Sequence, residues 1–230
     1  MIFSPNVIND GLIFYIDAAN KRCYPGSGTD GFDLIHSNDV SFGNGASVDS
    51  GNGGSFSLDG VNDYINIGSV DSSNPLMLYN SDFTIQCFIN WVGTGDASQR
   101  IFSKSSTGSG NDGYDLWIDE GSLDLGGSID GSNFETSARP SDNTWTNVAW
   151  VSNGTGNTIY MDGVAYSGTY YGGGSHKRPP NVTTNARIGS WNSSAARIFN
   201  GKISFIKIYN RELSASEILQ NLNALKDRFI

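Results

Sequence analysis

Phe83-Thr84-Ile85-Gln86-Cys87-Phe88-Ile89-Asn90-Trp91-Val92 is the stretch that decides the fold. Phe83, Ile85, Cys87, Ile89 and Trp91 occupy alternate positions. A period of two puts them on one face of an extended strand, toward a core. Cys87 therefore reads as a buried thiol.

Working outward, short runs of the same kind follow one another, each bounded by Gly, Asn, Asp or Ser. They cover residues 12–16, 55–58, 64–67, 100–104, 114–118, 122–125, 145–152, 158–161, 186–189 and 202–209. Short strands at such even spacing predict a sandwich of antiparallel sheets. Residues 55–58 and 64–67 read as a hairpin joined by Asp59-Gly60-Val61-Asn62-Asp63, and Asp162-Gly163 reads as a hairpin turn. In the last run Ile203 starts one apolar face, whereas Ile206 and Ile208 have the opposite parity. A β-bulge near Ser204 or Phe205 brings all three to the core side. Residues 43–54 and 107–113 read as long loops inside one domain.

One helix stands out. Ser214-Ala215-Ser216-Glu217 is a capping box, in which Ser214 accepts from an early backbone N–H and Glu217 reaches back. Ile218, Leu219, Leu222 and Leu225 then form an apolar stripe. The expectation is a single all-β domain over residues 1–230, with residues 214–228 as a closing helix.

Composition narrows the function. Of 230 residues, 37% are hydrophobic and 12% aromatic, enough to fill a core. The net charge of −9 leaves too few cations for a phosphate backbone, so no nucleic-acid partner is expected. The one basic cluster, His176-Lys177-Arg178, reads as a solvated turn. The longest apolar run near the start, residues 12–16, is far short of the about 20 residues needed to cross a membrane, so no membrane insertion is expected. Met1 to Asp10 has no basic residue and no apolar core region, so the expected site of synthesis is the cytoplasm without export. Cys23 and Cys87 are expected to stay unbridged, and with His36 and His176 they offer no zinc spacing.

The block 55–65 resembles concanavalin A-like, laminin-G-type domains. So do Phe83 to Ile89, then Trp145-Thr146-Asn147-Val148-Ala149-Trp150 with Tyr160-Met161-Asp162-Gly163, and Phe199 to Ile203 with Ile208 to Ser214. The order of the blocks matches that family over roughly residues 11–228. The resemblance implies a two-sheet jelly-roll sandwich. It also implies ligand-bearing loops at the rim. The opening Gly11 to Asn20, with Tyr24-Pro25-Gly26-Ser27-Gly28-Thr29, is similar to laminin-G-like structural proteins of tailed phages, although Phe32-Asp33-Leu34-Ile35-His36 departs from their Trp-containing block. That likeness implies a virion component: a capsid decoration, head fibre or tail adhesin. Its partners would be other virion proteins or surface glycans, and it would form a homo-oligomer in the particle. A free-standing carbohydrate-binding lectin module is the alternative.

Three chemistries compete for the loops. Glucanases of the same fold use Glu-x-Asp-x-x-Glu. The nearest acids here, Asp115, Asp119 and Glu120, have the wrong spacing, so no enzyme is expected and hydrolysis is a minor alternative. Pentraxin-like relatives imply calcium at Asn111-Asp112 and Trp191-Asn192-Ser193, but only Asp112 among these carries a charge where tight binding needs several carboxylates. Asp59 and Asp63 read as caps of backbone N–H groups. Sugars stack on aromatic rings in Gly-rich loops, which picks out Tyr170, Tyr171 and Trp191. The alternation gives the strands to the core, so the binding expectation rests on Asn111, Asp112, Tyr170, Tyr171, Trp191 and Asn192 in rim loops.

Overall fold

The computed structural model describes residues 6–51, 53–93, 98–105, 113–119, 121–191 and 197–229. The strands are β1 (Leu12–Asp17), β2 (Asp30–Phe32), β3 (Asp39–Gly43), β4 (Ser47–Asp49), β5 (Ser55–Asp59), β6 (Tyr64–Val70), β7 (Phe83–Trp91), β8 (Gln99–Ser105) and β9 (Gly113–Ile118). They continue as β10 (Leu125–Ile129), β11 (Ser132–Glu135), β12 (Trp145–Asn153), β13 (Gly156–Met161), β14 (Val164–Ser167), β15 (Thr169–Tyr170), β16 (Thr184–Ile188) and β17 (Asn200–Tyr209), followed by α1 (Ala215–Leu225). Sheet A runs β14-β13-β12-β7-β17-β5-β4, with β1 also on β17. Sheet B runs β15-β11-β10-β9-β8-β16-β6-β3-β2. Every pairing is antiparallel, and the two sheets form the expected sandwich.

The core lies between the sheets. Phe83, Ile85, Cys87, Ile89 and Trp91 all enter it, as their alternation requires. The register of β17 against β7 shifts between Ile203 and Phe205, and Ile203, Ile206 and Ile208 all reach the core. Cys23 and Cys87 are buried and unbridged. Burial pushes the Cys23 thiol up to about 11, and it raises Cys87 further.

Three expectations need correction. Residues 55–67 are not a hairpin: β5 belongs to sheet A and β6 to sheet B. The connection is a corner between sheets, and its sequence looks like a hairpin turn because both need a tight polar link between apolar strands. Asp59 Oδ1 accepts from Val61 N at 2.8 Å, and Asp63 Oδ2 accepts from Asp59 N at 3.0 Å, so both acids cap the corner. Residues 122–124 form a turn, and the strand begins at Leu125. Asp119 holds that turn by accepting from Gly121 N at 2.9 Å. The basic cluster is also more than a solvated turn, since Lys177 pairs with Asp130 at 3.0 Å and Arg178 with Asp82 at 2.7 Å.

The helix is capped as read: Glu217 N donates to Ser214 Oγ, and Ser214 N donates to Glu217 Oε2 at 2.8 Å. Arg211 pairs with Glu217 at 2.7 Å. Of the expected stripe only Ile218 is fully buried; Leu219 is exposed, Leu222 and Leu225 are half-buried, and Asn221 takes the second buried place. Ile218 packs on the outer face of sheet A with Leu12, Ala149, Val151, Tyr209 and Leu213. The 3-10 turn Lys226–Phe229 continues the cover, with Phe229 against Phe88 and Trp145 and Arg228 on Asp17 at 2.9 Å. Among the described residues no helix is long and apolar enough to cross a membrane.

Candidate functional site

Alternation has a second consequence. If Tyr114, Leu116 and Ile118 of β9 enter the core, Asp115 and Trp117 must face away from it. The same parity turns Ser103 of β8, Ser128 of β10 and Arg187 of β16 to the outer side of sheet B. Registry then aligns them into one polar row: Asn133, Ser128, Asp115, Ser103, Arg187, Asn66 and Ser41 lie opposite one another across successive strands. A second row sets Glu135, Gly126, Trp117 and Arg100 side by side.

The central members of these rows are not solvated. Arg100 is 4%, Asp115 1% and Trp117 3% exposed. The Arg100 guanidinium lies over the Trp117 ring at 4.3 Å, donates through Nη1 to Ser98 O at 2.7 Å and stands 3.7 Å from Asp115 Oδ2. Burial pulls the Arg100 pKa down to about 10 against the opposing pull of Asp115. Ser105 Oγ donates to Asp115 Oδ2 at 3.2 Å. A Cβ on Gly126 would sit 3.0 Å from Trp117 Nε1, so glycine is what lets the indole lie close over β10.

Several buried atoms here have no hydrogen-bond partner: Arg100 Nε, Asp115 Oδ1, Trp117 Nε1 and Ser128 Oγ, with Arg187 Nε and Ser190 Oγ nearby in the sheet and its loop. Each buried unpaired polar group costs about 1–3 kcal/mol, so a concentration of them on one face needs an explanation.

Half-buried and exposed groups border this floor. Trp191 Nε1 donates to Ser105 Oγ at 2.7 Å, and its ring has the Arg197 guanidinium at 5.1 Å and that of Arg100 at 5.9 Å. Tyr171 is 42% exposed, and burial together with Glu135 and Asp119 raises its pKa. Glu135 is itself raised by burial and by Asp119 and Asp124. Arg187 stacks over Tyr64 at 4.1 Å. Beyond Arg187 the row opens into a cleft of about 590 Å³ lined by Asp30, Phe32, Asp39, Ser41, Asn66 and Gly68.

The structure separates the expected site residues. Tyr171 and Trp191 stand at the margin of this floor. Tyr170 is absorbed by the fold: its ring packs on Phe134, and its hydroxyl accepts from Asn157 Nδ2 at 2.9 Å and lies 3.1 Å from His176 Nδ1. Asn111, Asp112, Asn192 and Glu120 lie outside the described residues. Among the described residues no group of three or more His, Cys, Asp or Glu side chains is placed to hold a metal. Asp115 and Asp119, weighed as catalytic acids, serve here as an ion-pair partner and a turn cap. Arg100, Trp117, Ser128 and Arg187 were missed. The signal was available, because parity in residues 100–104 and 114–118 shows which side chains turn outward.

A model of the concanavalin A-like lectin/glucanases superfamily matches residues 59–219. No curated protein matches. Among solved structures, Trypanosoma rangeli sialidase in complex with the inhibitor DANA superposes with a TM-score of 0.69 at 16% identity, covering 98% of this chain and 36% of that one. This chain thus spans little more than a third of that sialidase. Domain 4 of AbnA, a GH43 extracellular arabinanase from Geobacillus stearothermophilus in complex with arabinotriose, gives a TM-score of 0.61 at 13% identity and covers 91% of this chain and 97% of that one. The botulinum neurotoxin serotype D binding domain gives a TM-score of 0.61 at 16% identity, with 93% and 52% covered. At such identities these likenesses establish the fold.

Proposed function

The chain belongs to the concanavalin A-like lectin/glucanase superfamily, and from that premise we propose that it is a non-catalytic glycan-binding protein whose binding face is the outer side of sheet B. The observation that carries this reading is the row of buried, unpartnered polar atoms beside Trp117, bordered by Trp191 and Tyr171. A sugar offers hydroxyls that donate and accept, and C–H faces that stack on rings. Asn133, Arg187, Asn66 and Ser41, the half-buried members of the row, supply accessible donors and acceptors, and Arg100 Nε, Trp117 Nε1, Asp115 Oδ1 and the Ser128 hydroxyl add theirs once the side chains over them give way. The open cleft beside Arg187 extends the face toward β2, which suits an extended chain more than a single ring. The arabinanase domain, nearly the same size and bound to arabinotriose, supports the reading by analogy of fold. Asp115 and Asp119 are both engaged by neighbours, which favours binding over hydrolysis.

The opening block, similar to tailed-phage structural proteins, supports a place on a virion, in contact with neighbouring copies or a surface glycan. Calcium at Asn111 and Asp112, the expectation from pentraxin-like relatives, is part of the same proposal. A glycan array with the purified protein tests the binding. We expect at least one glycan to bind, and Trp191→Ala to weaken it tenfold or more. Binding that survives both Trp191→Ala and Arg100→Ala would remove sheet B from the account. Repeating the array in a chelator decides whether calcium contributes.

A further inference from the structure

The opposite sheet carries a second site. We propose that the part of sheet A's outer face left open by the helix binds a short, neutral sugar, independently of sheet B.

The argument starts again from registry. Ser47, Ser57, Lys202, Asn90 and Trp145 lie opposite one another on successive strands from β4 to β12. All have the parity that points away from the core, because their neighbours Phe56, Ile203, Ile89 and Trp91 enter it. Ser57, Lys202, Asn90 and Trp145 of this row floor a cleft of about 410 Å³, whose lining also includes Asp49 and Asn143. That volume falls in the range of small-ligand sites, roughly 300–1,000 Å³.

The walls are rigid. Trp145 stacks on Phe88 with ring centroids 5.1 Å apart and planes 14° from parallel, and Phe229 braces it at 4.8 Å. Gly201 holds a φ of +140°, and a Cβ there would run into Asn90 O, so β17 crosses the floor with no side chain at that point. The C-terminal turn therefore does more than cover sheet A: through Phe229 it fixes the end wall of the cleft.

The chemistry selects the ligand. Lys202 and Asp49 pair at 2.8 Å across the cleft, which leaves its lining without net charge. An anionic or cationic ligand would have to break that pair, and an apolar one would have to desolvate it. Asn90 and Asn143 each present an amide with donors and an acceptor, the set that matches neighbouring sugar hydroxyls. Such polar lining against one braced indole suits a neutral mono- or disaccharide end.

The five tryptophans make the test site-specific, because each indole N–H gives its own signal in a ¹H–¹⁵N spectrum of the full chain. Cellotriose, xylotriose, arabinotriose and galactobiose are the probes. We expect at least one to move the Trp145 indole with a Kd on the order of 1 mM, about −4 kcal/mol. Asn90→Leu should weaken that response tenfold or more and leave Trp150, in the core, unmoved. Should Asn90→Leu not fold, Asn143→Ala at the exposed rim serves in its place. Sheet B reports separately through Trp117 and Trp191. Response at Trp145 alone would uphold this site and sink the sheet B reading; response at Trp117 or Trp191 alone would do the reverse. A Trp145 signal that is silent to every probe, or that still moves in the asparagine variant, overturns the proposal.

Discussion

Both sheets bury polar side chains on their outer faces, and the two faces treat them in opposite ways. Under α1, Gln86 Nε2 donates to Asn147 Oδ1 at 3.0 Å and to Ile218 O at 3.1 Å. Asn221 Nδ2 donates to Gln86 Oε1 at 2.8 Å and to Tyr209 Oη at 3.0 Å, while its Oδ1 accepts from Ile8 N at 2.8 Å. Both amides have every donor in use, although Asn147 Nδ2 beside them has no partner. On sheet B, Arg100, Asp115, Trp117 and Ser128 are buried as deeply, yet each keeps an unpartnered atom. Burial alone therefore does not tell a structural polar group from a binding one. The helix is an internal ligand for sheet A; among the described residues sheet B has no equivalent element, and its unpartnered atoms are the ones the proposed glycan would meet.

The largest effect should come from taking the internal ligand away. Deleting residues 214–230 removes Ile218, Asn221 and Phe229 together and uncovers Leu12, Ala149 and Val151. Burying each such apolar side chain is worth about 1.5–3 kcal/mol, so the truncated chain should be insoluble or unfolded. A truncated protein melting with the full chain would erase the contrast. Asn221→Leu is the sharper version. It strands Ile8 N and Gln86 Oε1, each at about 1–3 kcal/mol, while the Tyr209 hydroxyl keeps its bond to Ile8 O, and should lower the melting temperature by roughly 10 °C.

One weak point in sheet A's cover should respond to pH. Lys207 Nζ is buried without a hydrogen-bond partner, over the rings of Phe205 at 3.8 Å and Tyr15 at 5.0 Å. Burial lowers its pKa to about 7, with Asp17 opposing the shift and Arg228 adding to it. Below about pH 7 the ammonium is present in both states, and the burial penalty stands in full. Between there and the ordinary lysine value the unfolded chain holds a proton that the folded one has released, so stability rises with pH. Lys207→Met should therefore raise the melting temperature most near about pH 6 and progressively less toward about pH 10. A gain independent of pH would show that Lys207 is solvated.

A smaller effect tests the helix cap. Arg211 holds the Glu217 carboxyl down at about 2, first through its hydrogen bonds. A depressed carboxylate contributes stability above its unfolded value and loses it as pH falls toward the folded one. Melting temperature should thus fall between about pH 4.5 and 2 more steeply in the native chain than in Glu217→Gln, which keeps the capping geometry. Parallel acid limbs in the two proteins would detach the pair from stability.

How much of this was legible depends on distance along the chain. β7 was readable because its five apolar alternates carry a full period, and the cap of α1 because Ser214 and Glu217 are three residues apart. The corner at residues 59–63 was not, because turning back into the same sheet or crossing to the other needs the same local residues. β10 was obscured by Gly126 and Gly127, which carry no alternation. For the site, the rim residues Tyr171 and Trp191 were visible as aromatics in polar loops. Arg100, Asp115 and Trp117 are in view by parity, but alternation alone assigns only the core-facing half of each strand and says nothing of how deeply the other half is covered. Their depth is fixed by residues remote in sequence: Trp191 over Ser105, and Tyr171 close enough to shift with Arg100. No local pattern encodes that cover.

The smallest stability effect is the one that decides the comparison. Ser128 is 2% exposed, lies opposite Asp115, and its hydroxyl has no partner. Replacing an unpaired buried hydroxyl by a methyl removes a desolvation cost and no hydrogen bond. Ser128→Ala should leave the stability unchanged or raise it, by no more than about 1–3 kcal/mol. The same reasoning applies to Trp117→Phe, which deletes the unpartnered Nε1 while keeping a ring under Arg100. If these atoms exist to meet sugar hydroxyls, both variants should bind the glycan found on the array more weakly, with folding intact. If instead Ser128→Ala destabilises the chain as Asn221→Leu does, the hydroxyl has a partner within the folded protein. Sheet B would then be a closed network like the one beneath the helix, and the binding face would have to be sought elsewhere on the sandwich.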